Sequence, residues 1–322
     1  MCSYKDMEKK PFVIGLDLGG TNSAFGIVDY KANIVERVTV PTGGHGAVEQ
    51  YVKDCVSRLL PIIEHVGGIS QIQGMGIGAP NGNFYTGEIE QAPNLPWKGC
   101  VPLAKLFHDA LGVPVILTND ANAAAMGEMT YGVAQGMKNF IEITLGTGVG
   151  SGIVVNGQVV YGCDGFAGEL GHTIIVPGGR ECGCGRKGCL ETYCSGPGVA
   201  RTALELMAQT RTESSLRSIV PSLLVSKDVS IAAADGDALA LETLRISGRR
   251  LGEAFANFMN FCSVEAFVMF GGPVKAGEPL LKHVREAFEE NVLPIYKGKA
   301  QILVSSLKDS DAAILGASAL AL

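Results

Sequence analysis

The feature that most restricts what this chain can fold into is a short apolar run that is broken by glycine and then resumed, and it occurs twice. Phe12-Val-Ile-Gly-Leu-Asp17 enters Leu18-Gly19-Gly20-Thr21-Asn22 and resumes as Ala24-Phe-Gly-Ile-Val-Asp29. Phe140 to Leu145 enters Gly146-Thr147-Gly148-Val-Gly-Ser-Gly152 and resumes from Ile153 to Asn156. Apolar runs of this length bounded by turn residues predict strands, and two runs joined across glycines predict a β-hairpin. At 322 residues the chain is longer than one compact core usually grows, so a two-lobed α/β fold with a cleft is expected, one hairpin in each lobe.

Other signals fill in the lobes. A third strand is expected at 34–40 and a helix from about 46 to 65, where Val48, Tyr51, Val52, Cys55, Val56, Leu59 and Leu60 share one face. Strands are expected at 71–77 and 113–117, with a helix beginning near Pro102 between them. Leu239, Leu244, Leu251, Phe255 and Phe258 mark a long helix, and the run 265–270 reads as a buried strand ending at Gly271-Gly272. The expected division is a small lobe over 1–118 and a large lobe over 119–310, with a final helix in 311–322 returning to the small lobe. No low-complexity linker separates them, which predicts a hinge and not a tether.

Composition excludes several classes. Hydrophobic residues make up 47% of the chain and charged residues 18%, which suits a well-buried enzyme and not a disordered chain. The net charge is −6 with no basic run, so nucleic acid is not an expected partner. The first apolar run stops at Asp17, too short for a signal peptide or a membrane span, and a cytoplasmic location is expected.

Backbone amides reach a phosphate chain only where side chains are absent, and Gly19 and Gly20 in one turn and Gly146, Gly148 and Gly150 in the other provide that room, with Thr21 and Thr147 adding hydroxyls. Asp17, at the mouth of the first turn, can hold magnesium through its water shell. Either loop alone also fits an ordinary tight turn. Neither has the P-loop or dinucleotide-binding spacing. Of nine cysteines, Cys182, Cys184 and Cys189 crowd into eight residues, with His172 ten residues upstream. Three thiolates and an imidazole form a closed tetrahedral set for structural zinc, and free thiols in a surface loop are the alternative. Asp120 follows the strand at 113–117 in Thr118-Asn119-Asp120-Ala121-Asn122. A carboxylate there can accept a proton from an attacking hydroxyl or simply cap the helix that begins near Ala121.

The Asp-Leu-Gly-Gly-Thr hairpin, the Leu-Gly-Thr-Gly-Val-Gly-Ser-Gly hairpin and the late Phe-Gly-Gly turn resemble the ATP-binding elements of the sugar kinase, hsp70 and actin superfamily. Gly168-Glu169-Leu-Gly-His172, Cys182-Gly-Cys184-Gly and Gly188-Cys189-Leu-Glu191 resemble the signature of the ROK family of repressors and kinases. The resemblance covers nearly all of the chain. It implies an actin-like (ribonuclease H-like) ATPase fold with a zinc-binding insertion in the second lobe, and ATP with magnesium bound between the lobes. Asp17, Gly19, Gly20, Thr21, Asn22, Gly146, Thr147 and Gly148 would hold the nucleotide, with Gly271 and Gly272 against its adenosine. It implies Asp120 as the general base, and Asn81, Asn119, Asp120, Glu169, His172 and Glu191 as ligands of a hexose. It further implies a homodimer. The stretch Asn81-Gly82-Asn83-Phe84 departs from the family's usual Gly or Gly-Leu after Ala-Pro, at the expected rim of the pocket.

The expected activity is phosphorylation of a hexose 6-hydroxyl by ATP, with glucose as the sugar and fructose, N-acetylmannosamine, N-acetylglucosamine or allose as alternatives. A sugar-responsive regulator is the reading from another class, and it is disfavoured because only eleven residues precede Phe12, too few for a DNA-binding domain. Trp97 is expected to pack the lobe interface, and His45, His65, His108 and His283 to serve packing or the surface.

Overall fold

Both glycine-broken runs form hairpins. In the computed structural model, which describes residues 10–322, β1 (Phe12–Leu18) and β2 (Asn22–Asp29) pair antiparallel from Phe12 with Asp29 to Leu18 with Ser23, leaving Gly19, Gly20 and Thr21 in the turn. β3 (Ile34–Pro41) extends the sheet along β2. Parallel strands need a crossover, and helices supply it. α1 (Val48–His65) leads to β4 (Ile72–Ala79), which runs parallel to β1. After a small sheet of β5 (Gly82–Asn83), β6 (Glu88–Glu90) and β7 (Cys100–Val101), α2 (Leu103–Leu111) leads to β8 (Val115–Asn119), parallel to β4. α3 (Asp120–Tyr131) follows without a break. The strand order is β3-β2-β1-β4-β8.

The second half repeats the plan. β9 (Phe140–Leu145), β10 (Val149–Val155) and β11 (Gln158–Val159) form the antiparallel part. The helices α4 (Glu191–Cys194), α5 (Gly196–Gln209), α6 (Ser226–Ala234) and α7 (Ala238–Cys262) precede β12 (Ala266–Gly271), and α8 (Glu278–Asn291) precedes β13 (Gln301–Val304). The order is β11-β10-β9-β12-β13, with β12 parallel to both β9 and β13. The result is an α/β fold with two mixed sheets of matching topology.

The chain divides into two units. Unit 1 takes the residues up to Gln135, Tyr161–Ala167 and Ser306–Leu322, and unit 2 takes Gly136–Val160 and Gly168–Ser305. α9 (Asp309–Ala319) lies against the sheet of unit 1 where glycine clears space: a Cβ on Gly15 would sit 2.2 Å from Ile314 O, and one on Gly76 1.8 Å from Ala317 O. α3 also groups with unit 1, whereas the sequence boundary falls at residue 118. The physical reason is a close helix crossing, since a Cβ on Gly127 would sit 2.8 Å from the Cα of Gly316.

Each unit has its own core. In unit 1 Tyr51, Val52, Cys55, Leu59 and Ile63 form the buried face of α1, whereas Leu60, placed on that face from sequence, is 45% exposed. Trp97 packs inside this core, its ring 4.8 Å from that of Tyr51, rather than at an interface as expected. In unit 2 Phe255 stacks on Phe267 at 4.3 Å, with Phe288 edge-on to Phe267. Among the described residues no helix is long and apolar enough to cross a membrane.

Candidate active site

The predicted site residues fall into two groups, one in each unit. In unit 1 the strand register aligns Asp17 with Gly78 and Gly78 with Thr118, so the carboxyl ends of β1, β4 and β8 lie side by side. Ligands of open α/β sheets bind at this edge. Asp17 comes from β1, Asn81 from just past β4, Asn119 from the end of β8 and Asp120 from the start of α3. Gly78 lies under the start of α3, where a Cβ would press on Ala123 Cβ at 3.2 Å.

The helix-cap alternative for Asp120 is taken by its neighbour. Asn119 is the N-cap of α3, its Oδ1 accepting from the Ala121 N–H at 2.8 Å. Asp120 Oδ1 accepts from the same N–H at 2.9 Å, which orients a carboxyl that is exposed to solvent on its open side. Protein around the group still removes enough water to raise its pKa above the usual carboxylate value. Asp17 is half-buried, and burial, followed by the like charge of Asp120, pushes it up to about 6.

Asn81 stands at φ +52°, a left-handed conformation that asparagine tolerates, and its Nδ2 donates to Glu90 O at 3.0 Å. That bond engages the donor end of the amide. In the first hairpin turn Gly19 N–H donates to Asn22 O and Thr42 Oγ1 donates to Gly19 O, while Gly20, Thr21 and Asn22 are exposed. Sequence reasoning missed Asn83, which is buried. Its Nδ2 donates to Glu90 Oε1 and Asp164 O, each at 2.8 Å, while Phe84 stacks on Tyr161 at 4.0 Å. These contacts bind Tyr161–Ala167 to unit 1. The only signal was the unusual Asn83-Phe84 after Asn81.

In unit 2 the second turn is tighter than expected. β10 begins at Val149, so Gly150 and Gly152 are strand residues and only Gly146, Thr147 and Gly148 make the turn. Gly146 N–H donates to Gly148 O at 3.0 Å, and Gly196 N–H, at the start of α5, donates to Gly146 O at 2.8 Å. A cavity of about 390 Å³ opens beside this turn, lined among others by Gly146, Thr147, Pro197, Leu224, Val225 and Gly272. Gly271, at φ +113°, lets β12 end against β9, where a Cβ would meet Leu145 O at 2.1 Å. The structure thus brings three of the predicted nucleotide residues to one cavity, and adds Pro197, Leu224 and Val225, which no motif announced.

The cysteine-rich loop lies in the same unit. One ligand atom from each of His172, Cys182, Cys184 and Cys189 falls within 4.8 Å of all the others. Cys182 Sγ is 3.6 Å from His172 Nδ1, and Cys184 Sγ is 3.7 Å from Cys189 Sγ. A tetrahedron with zinc–sulfur bonds of about 2.3 Å has edges of about 3.7 Å, so the donor set fits that ion. Hydrogen bonds from the Arg186 backbone and side chain lower the Cys184 thiol to about 6, favouring the thiolate a metal needs. The use of Nδ1 toward the sulfurs leaves Nε2 of His172 for another partner. The stretch carrying Glu169 and His172 is anchored to β10, because Leu170 N–H donates to Ser151 Oγ, which donates to Gly168 O. Glu169 is exposed, and Glu191 opens α4 directly after the loop.

The ROK family model matches residues 13–322. A glucokinase of Halalkalibacterium halodurans is 38% identical over 309 residues, covering 94% of this chain and 92% of that protein. A glucokinase of Thermotoga maritima is 33% identical, covering 96% of each chain. Among solved structures, a ROK family glucokinase from Streptomyces griseus in complex with glucose and AMPPNP aligns with a TM-score of 0.78 at 33% identity, covering 96% of this chain and 98% of that one. With the match running from the first strand to the last residue and including the cysteine-rich signature, this chain belongs to the ROK family.

Proposed function

We propose that the chain is an ATP-dependent kinase that phosphorylates the 6-hydroxyl of glucose. The observation that carries this reading is the exposed carboxyl of Asp120 at the carboxyl edge of the unit 1 sheet, next to Asn119 and across β4 from Asp17. Asn81, Asn119, Glu169, His172 and Glu191 offer the mixture of donors and acceptors that a polyol requires, and a sugar lacking a matching hydroxyl leaves one of them unpaired. Asp120 takes the proton of the 6-hydroxyl as that oxygen attacks the γ-phosphorus, and the bond to the β-phosphate oxygen breaks to release ADP.

The Gly19–Asn22 and Gly146–Gly148 turns offer amides and hydroxyls to the phosphates, and the 390 Å³ cavity offers apolar walls to the adenosine. Asp17 would hold magnesium, which neutralises charge on the phosphates. His172, Cys182, Cys184 and Cys189 would hold zinc, which closes the loop as a crosslink and leaves no coordination position for a reacting water. The reading includes a homodimer in the cytoplasm, and light scattering tests the oligomeric state.

The test is ADP release from magnesium-ATP across hexoses and N-acetylhexosamines. Glucose should give the highest kcat/KM. Preference for an acetylated sugar would overturn the glucose assignment, and no ADP release with any sugar would overturn the kinase.

A further inference from the structure

Glu191 has a second position in unit 2 besides any contact with sugar. Its Oε2 accepts a hydrogen bond from the Val149 N–H at 3.1 Å, at the point where the second glycine turn enters β10. Its Oε1 lies 3.6 Å from Cys182 Sγ. Along the chain it stands two residues after Cys189, with Leu190 fully buried between them and tied by its N–H to Thr173 O. Fixing Cys189 therefore fixes the start of α4 through Leu190, and with it the carboxylate that grips the turn.

Gly148 reports the same relationship from the other side. Its backbone φ is not left-handed, yet a Cβ would meet Glu191 Oε2 at 2.4 Å and no atom of any other residue within 4 Å. Glycine stands here to admit the carboxylate. The other end of the turn is held by the Gly196 N–H on Gly146 O, so removing Glu191 frees only the Val149 end.

We infer that Glu191 is a positioning residue through which the Cys182–Cys184–Cys189–His172 cluster holds the Gly146–Gly148 turn in its nucleotide-binding shape. The inference rests on the reading of that turn as a phosphate loop. A charge-assisted hydrogen bond to a backbone amide in a loop that must be ordered to bind is worth about ten-fold in affinity.

The experiment is calorimetric titration of magnesium-AMPPNP in the absence of sugar, which separates this role from sugar contacts. Glu191→Ala should weaken binding about ten-fold, and Glu191→Gln, which keeps an amide oxygen for Val149, should stay within about two-fold of the wild type. Gly148→Ala should match Glu191→Ala, and the double variant should be no weaker than either single one. Chelation of the cluster's metal should weaken binding in the wild type and leave Glu191→Ala unchanged. Equal affinity of wild type and Glu191→Ala, or additive losses in the double variant, would overturn the brace alone. A wild type that binds no nucleotide would overturn the functional reading and the brace with it.

Discussion

Asp17 and Asp120 flank β4 from opposite sides, and burial together with the like charge of Asp120 holds the Asp17 carboxyl at about 6. Two carboxyls on one sheet edge, both raised, disfavour full ionisation in the absence of a cation or a proton. Such an edge suits the magnesium-bound phosphate and the transferable proton of the proposed kinase reaction.

The raised value has a stability consequence with a fixed sign. The folded protein binds the Asp17 proton more tightly than the unfolded chain does, so the associated stability is present below the ordinary carboxylate value near 4 and is lost as pH rises through about 6. Asp17→Asn should therefore raise thermal stability at pH 7.5 without magnesium, by up to about 3 kcal/mol, and the gain should vanish by about pH 4. Thermal denaturation of both proteins at the two pH values checks it, and a variant less stable than wild type at pH 7.5 would refute the assignment.

Cys184 separates metal binding from packing, because it is exposed while Cys189 is fully buried. The wild type should carry one zinc per chain by elemental analysis. Cys184→Ser should lose the metal and at least about 2 kcal/mol of stability, yet match the wild type once both are stripped by chelator. A stable, metal-free wild type with unchanged activity would end the zinc reading.

The contact of α9 with the sheet gives a stability test remote from the site. A Cβ on Gly76 would lie 1.8 Å from Ala317 O, whereas one on Gly43 would meet nothing within 4 Å. Gly76→Ala should cost about 1–3 kcal/mol in urea denaturation, and Gly43→Ala should stay within about 0.5 kcal/mol of the wild type.

Much of this was legible in the sequence where the signal is local. The hairpins could be read because apolar runs and glycines alternate within a dozen residues, and the cysteine cluster because its three thiols lie within eight. Leu60 was misplaced because a regular face was extended past Leu59, and the buried position passes instead to Ile63. The second turn is shorter than its run of glycines suggests, since glycines at 150 and 152 carry no mark distinguishing a strand from a loop. The contacts of Asn83 and Phe84 with Asp164 and Tyr161 are not legible, because they join positions far apart in the chain and no local pattern encodes such a pairing. The grip of Glu191 on Val149 was hidden for a different reason, since a backbone N–H has no sequence signature.

Asp120 carries the proton in the proposed reaction, and the decisive measurement is turnover in Asp120→Asn set beside its affinity for glucose and magnesium-AMPPNP. The amide keeps the size and the Ala121 contact while losing the ability to take a proton. Turnover should fall by at least about 1,000-fold, with both affinities within a few-fold of the wild type. Near-normal turnover in that variant would contradict the account.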